Sequence, residues 1–501
     1  EHEHEHEHVI KVDVDNDDDT TNNKDKKANK PKPKPKPKRR LCRIGAATTN
    51  EQFRHWVIEN SLVDRQTSTW KPWWTLPLNV IMVEITFGGS NAPICHGAGK
   101  TTQTLSDLVT SMEFVNANGE LQIVNDPQQL KSASGCFGML GIVTSITMKL
   151  DPLTFANMTP KKKPLCLTIP PPLNFQVPKN IKMKNITQHK LDQAFQQFVN
   201  HCENDYYCEF FWFPGQDNCW INAWNNDASS KHGIEHPNKF QVQNEQTCSF
   251  LCDIMNDSVF QILPPSFQMN VMSTMAMTDL PHCEDDEQDN IVVPLIEALH
   301  FRRGIQNMRV SSMEFEIPIP PRKDDPTQPD YTVCQKAWWA VIQRFYERYN
   351  RNSNDLPMRL CLEMRITSDS DVFIAPQYGN THGTCSVEIL TPENVDREHW
   401  KTFMQETIDL WMNLKDDDGK NIHPFINEKG QTLHVRPHWA KEWMGMNVDG
   451  LPINVYLKEK AYKEQIPLFV NGLEAVCKDG GYTMDDANKI FSTKFSREMF
   501  F

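Results

Sequence analysis

The sequence predicts an α+β protein with two folded domains, and three observations lead to this prediction. The chain has 501 residues, which is too many for a single hydrophobic core. Residues 41–155 contain a glycine-rich turn, a hairpin and short strands, whereas residues 173–501 alternate aromatic strands with long amphipathic helices. A Lys/Pro-rich segment, 160–172, lies between the two regions and is predicted to be a linker.

Residues 1–40 differ in composition from the rest of the chain and are predicted to be a disordered tail. Glu and His alternate from Glu1 to His8, an acidic run follows, and the tract ends in KPKPKPKPKRR. Proline at every second position excludes a helix and favours an extended, solvated chain. The alternating histidines could bind a divalent metal, but a low-complexity tail is the stronger interpretation.

The overall composition limits the classes of function. A net charge of −13 argues against nucleic-acid binding by the whole surface, and no run of 18 apolar residues is present to span a bilayer. The chain opens at Glu1 without an apolar signal-peptide core, so it is expected to be a fragment or the product of a damaged gene model, and a cytoplasmic location is expected. Fourteen scattered cysteines with no CxxC pair are typical of reduced thiols.

Local patterns predict the elements of the first region. Thr49 is expected to cap a helix from Glu51 to Glu59. Residues 80–87 read as a buried strand that ends at two glycines. Residues 112–124 are predicted to form a hairpin that turns at an Asn-Gly pair, and a further strand is predicted to begin at Ile142.

In the second region, hydrophobic periodicity predicts a sheet covered by helices. The predicted strands are Tyr206–Phe213, Cys219–Trp224, Met358–Thr367 and Thr384–Leu390, and the predicted helices are Tyr331–Tyr349 and His399–Leu414.

The first motif that could carry chemistry is GGSNAPICHGAG, residues 88–99. Small residues in such a loop let backbone N–H groups approach an anionic ligand closely. The spacing is that of neither a Walker loop nor a Rossmann fingerprint, and glycine-rich strand exits are often simple turns.

Two further motifs lie in the second region. Period-two geometry places Glu363 and Arg365 on the same face of a strand, as a polar site or as a salt bridge at a solvated surface. Near the C-terminal end, the segment RPHWAK gathers His438 and Lys441 with an arginine and a tryptophan, which is unusual for a simple loop.

Taken in order, these motifs resemble the FAD-linked oxidases of the vanillyl-alcohol-oxidase type, of the sugar-lactone and alditol oxidase kind. Those proteins carry a Gly-Gly…His-Gly loop, a TLSDLV-like strand, an ANGE-like hairpin and an LGIVT strand, and residues from about 43 to 150 match this order. A Glu-x-Arg strand and an RPHW-x-K segment recur in their substrate domain. The resemblance implies a two-domain fold, with a partial PCMH-type FAD-binding domain at 41–155 and an α+β substrate domain at 173–501.

The resemblance also implies a site and a reaction. Glu363, Arg365 and Lys441 are expected to be catalytic, in the oxidation of a CH–OH group of a sugar lactone or polyol such as D-arabinono-1,4-lactone. Arg365 and Lys441 would stabilise the negative charge that develops, Glu363 would hold Arg365, and oxygen would reoxidise the flavin to give hydrogen peroxide. No metal site is predicted. The residues expected to bind FAD are Thr86, Gly89, Ser90, Ala92, His96, Gly97, Ile142, Val143 and His438.

The sequence departs from the family pattern in two places. The loop reads Pro93-Ile94-Cys95 where the family has Thr-Gly-Thr, so its backbone contacts are expected to differ. Family members also carry a preceding Gly-Ser-Gly-His segment, whose histidine often bonds to the flavin, and no such segment lies before Arg43. The expected cofactor binding is therefore weak and non-covalent.

Two alternatives to an active oxidase stay open at this point. A catalytically impaired pseudo-enzyme or binding protein would follow from an incomplete flavin site. A metal-dependent hydrolase would use His96, His382 and His438, although no metal-ligand spacing supports it. The expected partners are a small-molecule alcohol and oxygen, and a peripheral location on an intracellular membrane is implied by the resemblance only.

Overall fold

The structure is a computed structural model, and it describes residues 10–13, 40–229, 233, 235–256, 262–284, 288–305 and 309–501. Of the tail predicted at residues 1–40, four residues form a strand and the last begins another. The other tail residues lie outside the described part of the chain, as do the four alternating histidines that were considered as metal ligands.

The first part of the chain is built on a six-stranded antiparallel sheet. The strands follow the order β1-β2-β8-β6-β7, β5 pairs with β8, and β3 and β4 form a separate pair. In chain order the elements are β1 (Ile10–Asp13), β2 (Arg40–Gly45), α1 (Asn50–Ser61), β3 (Leu62–Asp64), β4 (Thr69–Trp70), β5 (Trp74–Thr75), α2 (Phe87–Asn91), β6 (Val109–Val115), β7 (Leu121–Val124), α3 (Pro127–Ala133) and β8 (Ile142–Pro152).

The second part is built on a nine-stranded antiparallel sheet. Its order is β13-β9-β12-β11-β15-β16-β14-β19, β10 pairs with β12, and two small hairpins, β17-β18 and β20-β21, lie apart. The strands are β9 (Phe155–Met158), β10 (Lys161–Pro164), β11 (Tyr207–Trp212), β12 (Asn218–Asn225), β13 (Ile291–Pro294), β14 (Val310–Pro318), β15 (Cys361–Thr367), β16 (Thr384–Pro392), β17 (Phe425–Ile426), β18 (Thr432–Leu433), β19 (Arg436–Pro437), β20 (Asn447–Val448) and β21 (Leu451–Pro452).

Helices accompany this sheet along the whole second part. They are α4 (Leu165–Thr168), α5 (Gln188–Asn204), α6 (Lys239–Asn256), α7 (Pro265–Asp279), α8 (Leu295–Leu299), α9 (Thr332–Arg351), α10 (Arg397–Met412), α11 (Ile453–Tyr456), α12 (Gln465–Asp479), α13 (Met484–Phe491) and α14 (Lys494–Phe500). Among the described helices, none combines the length and the hydropathy that crossing a membrane requires.

Most elements predicted from local patterns are confirmed. Thr49 caps α1 through a reciprocal capping box with Gln52, which satisfies two backbone donors at the helix start. The hairpin of β6 and β7 turns at Gly119, whose φ of +77° explains the Asn-Gly pair. The predicted strands and helices of the second part match β11, β12, β15, β16, α9 and α10 within a few residues.

The strand predicted at residues 80–87 is wrong. The segment is irregular, and its carbonyl groups accept hydrogen bonds from the start of α1 instead of from a neighbouring strand. The backbone N–H of Asn50 donates to Ile85 (3.0 Å) and that of Glu51 donates to Val83 (2.9 Å). The glycines that follow therefore belong to helix α2.

The segment 160–172, predicted as a linker, contains β10 and α4. β10 pairs with β12 along four residues, so this segment is part of the second sheet.

The C-terminal helices return to the first sheet. Helix α12 packs against α3. The side-chain amide of Gln122 donates to the carbonyl of Val476 (2.7 Å), and that of Gln129 donates to Asp479 (2.6 Å). The last part of the chain therefore supports the first sheet as well as the second.

The two faces of the second sheet differ in character. One face is packed by apolar side chains, and Phe315 of β14 contacts Trp411 of α10 with ring centroids 5.7 Å apart. Because side chains alternate along a strand, the neighbouring residues Glu314 and Glu316 lie on the opposite face. The candidate site is on that opposite face.

Candidate active site

Four neighbouring strands each place a glutamate at adjoining positions on one face of the second sheet. The strand register places Glu209 opposite Arg365, Glu363 opposite Glu388, and Glu388 opposite Glu314. All four carboxylate residues are buried. We call these four residues the carboxylate ladder. Burying so many carboxylates side by side is costly unless cations are placed among them.

Arg365 is the central cation of the carboxylate ladder. Its Nε donates to Glu209 (2.7 Å) and its Nη2 donates to Glu363 (2.5 Å). Its Nη1 donates to both Glu314 (3.1 Å) and Glu388 (3.0 Å). The arginine side chain is only 13% exposed, so the solvated surface salt bridge considered from the sequence is wrong for this pair.

Lys441 contacts the same ladder from another part of the chain. Its ammonium group donates to Glu388 and lies 3.8 Å from Glu314. The segment that carries Lys441 is held by β19, whose short pairing with β14 places residues 436 and 437 at the sheet edge. Glu363, Arg365 and Lys441 are therefore brought together, with Glu388 shared between the two cations.

His96 reaches the ladder from the first part of the chain. Its Nε2 lies 3.0 Å from Glu316, 3.3 Å from Glu314 and 3.2 Å from the hydroxyl of Ser386. Its Nδ1 lies 2.7 Å from the carbonyl of Gly97, so that nitrogen carries a proton. Both ring nitrogens thus face acceptors, which favours the imidazolium form.

Electrostatics separate the two histidines of the site. Burial lowers the pKa of His96, but the carboxylates of Glu316 and Glu314 outweigh burial and raise it to about 10. Burial lowers the pKa of His438 to about 4, so this ring is neutral. The two rings lie edge to face, with centroids 5.2 Å apart.

Burial raises the pKa of each carboxylate, but the net shifts differ in direction because the neighbouring cations differ. Burial raises the pKa of Glu363 to about 8, against the attraction of Arg365. Burial also raises the pKa of Glu209. For Glu314 the cationic His96 and Lys441 outweigh burial and hold the pKa well below its usual range.

Negative groups outnumber positive groups on this face. Five carboxylates adjoin three cations, and the neighbouring carboxylates Glu388 and Glu209 add to the raised pKa of Glu363. The carboxylates are Glu209, Glu314, Glu316, Glu363 and Glu388, and the cations are His96, Arg365 and Lys441.

One group of side chains has the composition of a metal site. His96, Glu314 and His438 each offer a ligand atom, and these atoms lie within 4.8 Å of one another. Arg365 and Lys441 already contact the same glutamate, so a metal ion there would face two positive neighbours. Among the described residues His382, considered from the sequence, is not part of this group.

The predicted cofactor residues of the glycine-rich motif lie on or beside helix α2. The hydroxyl of Thr86 caps this helix by accepting from the backbone N–H of Gly89 (3.1 Å). Ser90 is buried within the helix, and Ala92 ends it. The backbone N–H of Cys95 donates to the carbonyl of Ser90 (3.0 Å), so this helix lies directly beside the loop that carries His96.

Ile94 has a left-handed backbone conformation, which glycine usually occupies. Its φ is +56°, in the left-handed region, which is strained for a β-branched residue. It occupies the position where the resembled family has glycine. Its buried side chain fits against Gly135, where a Cβ would lie 2.3 Å from Ile94 Cγ1. The missing side chain at Gly135 therefore makes room for Ile94 in this turn.

Packing accounts for the glycines that follow His96. A Cβ at Gly97 would lie 3.3 Å from the side chain of Leu78, and one at Gly99 would lie 2.0 Å from the carbonyl oxygen of Tyr206. The protein itself fills this space, so close approach of a ligand is not needed to explain either glycine.

Ile142 and Val143 are the first two residues of β8. The side chain of Ile142 is 65% exposed, and Val143 pairs with Phe114 of β6. Ala46 joins this strand to α2, because its N–H donates to Thr144 (2.9 Å) and its carbonyl accepts from Gly88 (2.8 Å). The hydrogen bonds and ion pairs of the described residues do not join Ile142 or Val143 to the carboxylate ladder.

A small polar cavity lies beside His96. Its volume is about 10 Å³, room for about one water molecule, and Gln377 and Thr367 contribute to its lining. Both amide atoms of Gln377 and the hydroxyl of Thr367 are buried, with no hydrogen-bond partner among the residues that the structure describes. A polar group of a bound ligand would satisfy them.

Sequence reasoning missed the remaining members of the site. These are Glu209, Glu314, Glu316, Ser386 and Glu388. A signal was present, since each lies between apolar or aromatic residues in a predominantly buried strand, as in SMEFEIP. Charged residues at alternating positions of such strands indicate a buried polar face.

Known proteins match the structure of this chain over more of its length than they match its sequence. No known protein-family profile matches the chain. L-gulono-1,4-lactone dehydrogenase, found in two strains of Mycobacterium tuberculosis, is 20% identical over 355 residues, which cover 70% of this chain. The chain spans 63% of the length of these curated relatives.

Solved structures match almost the whole chain. A solvent-stable cholesterol oxidase superimposes with a TM-score of 0.61 and 12% identity, over 93% of this chain and 83% of its own. Cholesterol oxidase from B. sterolicum gives a TM-score of 0.59 and 14% identity, over 92% of this chain and 81% of its own. The chain therefore has the α+β, two-domain fold of the FAD-linked oxidases that its motifs resemble.

Proposed function

We propose that this protein is an FAD-dependent oxidoreductase that oxidises the CH–OH group of a small-molecule alcohol. The observation that carries the proposal is that Arg365 of β15 and Lys441 of a C-terminal segment both donate to the carboxylate of Glu388, while Arg365 also donates to Glu363. The fold of the cholesterol oxidases supports it, and so does the weak similarity to a lactone dehydrogenase.

The charges of the site suit the ring end of a flavin, but the cavity beside His96, about 10 Å³, has room for about one water molecule and not for the ring. Fixed cations on a buried face suit the negative charge of a reduced flavin, and the unpaired amide of Gln377 offers polar partners beside them. When bound, FAD supplies the acceptor for the hydride of the alcohol. His96 and His438 would lie at the ring, and Thr86, Gly89, Ser90, Ala92, Gly97, Ile142 and Val143 would hold the rest of the cofactor without a covalent bond.

The side chains of the ladder provide the rest of the chemistry. Glu363, with a pKa raised to about 8 by burial, can exchange a proton with the alcohol hydroxyl near neutral pH. Arg365 and Lys441 would stabilise the alkoxide that forms as this proton leaves. Because the face is buried, water does not compete for these hydrogen bonds.

The resemblance adds finer detail to the proposal. It gives a sugar lactone or polyol as the substrate, in the manner of a D-arabinono-1,4-lactone oxidase, and oxygen as the acceptor that yields hydrogen peroxide. The proposed location is the cytoplasm or, by the resemblance alone, the periphery of an intracellular membrane.

The test is flavin reduction in a matched pair of lysine variants. The purified chain is loaded with FAD, and loss of flavin absorbance is followed anaerobically with a panel of lactones, polyols and apolar alcohols. Replacing Lys441 with methionine should slow reduction by about 100-fold, since one donor to a developing anion is worth that much. Lys401→Met, at an exposed position of α10, is the control and should keep the parent rate.

Either of two results would contradict the proposal. A chain that binds no FAD in an equilibrium titration has no oxidase chemistry of this kind. Equal reduction rates in the parent and in Lys441→Met would show that the ladder does not act on the substrate.

A further inference from the structure

A cavity of about 70 Å³ adjoins Glu363 between the second sheet and helices α6 and α7. This volume has room for several water molecules. Part of the wall is apolar, but the wall also carries acidic, hydroxyl and guanidinium side chains. These are Glu245 and Ser249 of α6, Asp279 of α7, Arg302 and Glu363. The cavity is therefore a polar space that reaches a buried carboxylate of the site.

The hydroxyl of Ser249 indicates that this space takes a polar occupant. Ser249 is only 4% exposed, and its hydroxyl oxygen has no hydrogen-bond partner among the residues that the structure describes. Buried hydroxyl groups are normally paired, and a buried water molecule typically makes about three hydrogen bonds to such groups. A water molecule in the cavity would satisfy Ser249 and would adjoin the carboxylates of the same wall.

The cavity adjoins a surface groove between α6 and α7. The groove has a volume of about 840 Å³, and Cys248, Met275 and Asp279 line both spaces. Asp279 is exposed, whereas Glu363 is only 7% exposed. The carboxylates of the wall thus lead from the buried face of the sheet to the solvent.

Two carboxyl groups of the wall have similar pKa values. Burial raises the pKa of Glu363 to about 8 against the attraction of Arg365, and burial raises the pKa of Glu245 to about 7 against the attraction of Arg302. The other charged groups that act on these two carboxyls are Glu209, Asp279, Arg303 and Glu388. The backbone N–H of Gly304 donates to Glu245 (2.8 Å) and holds this carboxyl in place. A pKa difference of about one makes proton transfer from Glu363 to Glu245 unfavourable by only about ten-fold.

We propose that this cavity is the proton route of the site, in which water molecules carry the proton of Glu363 past Glu245 to Asp279 at the groove. The inference rests on the proposed function, because the proton is that of the alcohol. The O–H bond of the alcohol breaks, its proton passes to the carboxylate of Glu363, and the hydride of its carbon passes to the flavin. Glu363 then gives the proton to the water chain, and Asp279 releases an equivalent proton to the solvent.

The first experiment follows the proton on Glu363 and needs no alcohol. The purified chain at about pH 6, where Glu363 is protonated, is mixed rapidly with D₂O. Infrared absorption follows the C=O band of the carboxylic acid, which shifts as its proton is replaced by deuterium. Glu363→Gln identifies the band, because this variant lacks it. A parent without such a band would contradict the proposal.

Two variants block the route at different points. Glu245→Gln removes the inner relay group and should slow the exchange by about 100-fold, the lower end of what a positioned proton-transfer group contributes. Ala276→Leu enlarges a side chain of the cavity wall, displaces water and should slow the exchange by a similar factor. Glu398→Gln is the control and should exchange at the parent rate, because its side chain is 80% exposed on α10. Exchange at the parent rate in both blocked variants would overturn the proposal.

The second experiment adds a readout that a purely structural role would not change. At about pH 7, Glu363 must release its proton before it can accept that of the alcohol. In weak buffer, Asp279→Asn should therefore slow flavin reduction by about ten-fold or more. Imidazole, which the groove is large enough to admit, should restore the rate to within about two-fold by accepting the proton. A slow variant that imidazole does not restore would contradict the relay role of Asp279.

Exchange and turnover separate this proposal from the proposed function. If exchange slows in the blocked variants but no alcohol reduces the flavin, the oxidase function is wrong and the proton route holds. If an alcohol reduces the flavin and the blocked variants exchange and react at the parent rate, the oxidase function holds and the proton route is wrong.

Discussion

Replacement of Arg365 by methionine should destabilise the fold, and the structure sets the size of the effect. The guanidinium bonds to four buried carboxylates at 2.5–3.1 Å. Removing one partner of a buried charge pair typically costs about 3–5 kcal/mol, because the other charge is left without compensation. We therefore expect the free energy of unfolding of Arg365→Met to be lower than that of the parent by about 3–5 kcal/mol at about pH 8.

The loss of unfolding free energy in this variant should become larger as pH rises. Without the guanidinium, burial and mutual repulsion raise the pKa values of the four carboxylates. The folded variant then binds more protons than its unfolded state, so its stability falls as pH rises. At about pH 5, where the carboxylates hold protons at small cost, the difference between parent and variant should be less than half of that at pH 8.

The assay is urea unfolding followed by tryptophan fluorescence. Trp212, Trp220 and Trp224 are buried in β11 and β12, next to the ladder, so their emission reports on the second sheet. Arg322→Met is the control, because Arg322 pairs with Asp324 on the surface and its loss should not shift the transition. A cost below about 1 kcal/mol for Arg365→Met, or the same cost at both pH values, would refute the reasoning.

Two other predictions follow from the same charges. In the FAD-loaded chain, the rate of flavin reduction should increase with pH through an apparent pKa of about 8. Glu363→Gln should lose this pH dependence. A profile that is unchanged in the variant would show that Glu363 does not take part in the proton step. The pKa of His96 is raised from 6.5 to about 10, so its stabilising contribution is complete below pH 6.5 and is lost as pH rises through 10. Thermal unfolding of His96→Gln should therefore vary less between pH 7 and pH 10 than that of the parent, and identical slopes would contradict the ion pairs with Glu314 and Glu316.

The sequence predicts those parts of the fold that local physics determines. The capping box at Thr49, the hairpin at Gly119 and the amphipathic helix α9 each depend on residues within a few positions of one another. The strand predicted at 80–87 failed because its carbonyl groups are used by the first turn of α1, some 35 residues earlier in the chain, and no local pattern records such a contact.

In the candidate site, too, the sequence predicts a contact within one strand but not the contacts between strands. Glu363 and Arg365 share one strand, so their contact follows from period two. The other carboxylates come from β11, β14 and β16, and the order β11-β15-β16-β14 is not the order of the chain. Strand order is decided by packing over the whole domain, so the ladder could not be assembled from sequence spacing.

The return of the C-terminal helices has a practical consequence for work on this protein. A fragment that contains only residues 41–155 would lose α12, which covers α3 and accepts the hydrogen bond of Gln122 through Val476. Gly472 of α12 also packs closely against α3, since a Cβ at this position would lie 2.1 Å from the hydroxyl oxygen of Ser132. Expression of the first part alone should therefore give an insoluble product, whereas co-expression with a segment that spans residues 453–501 should restore its solubility.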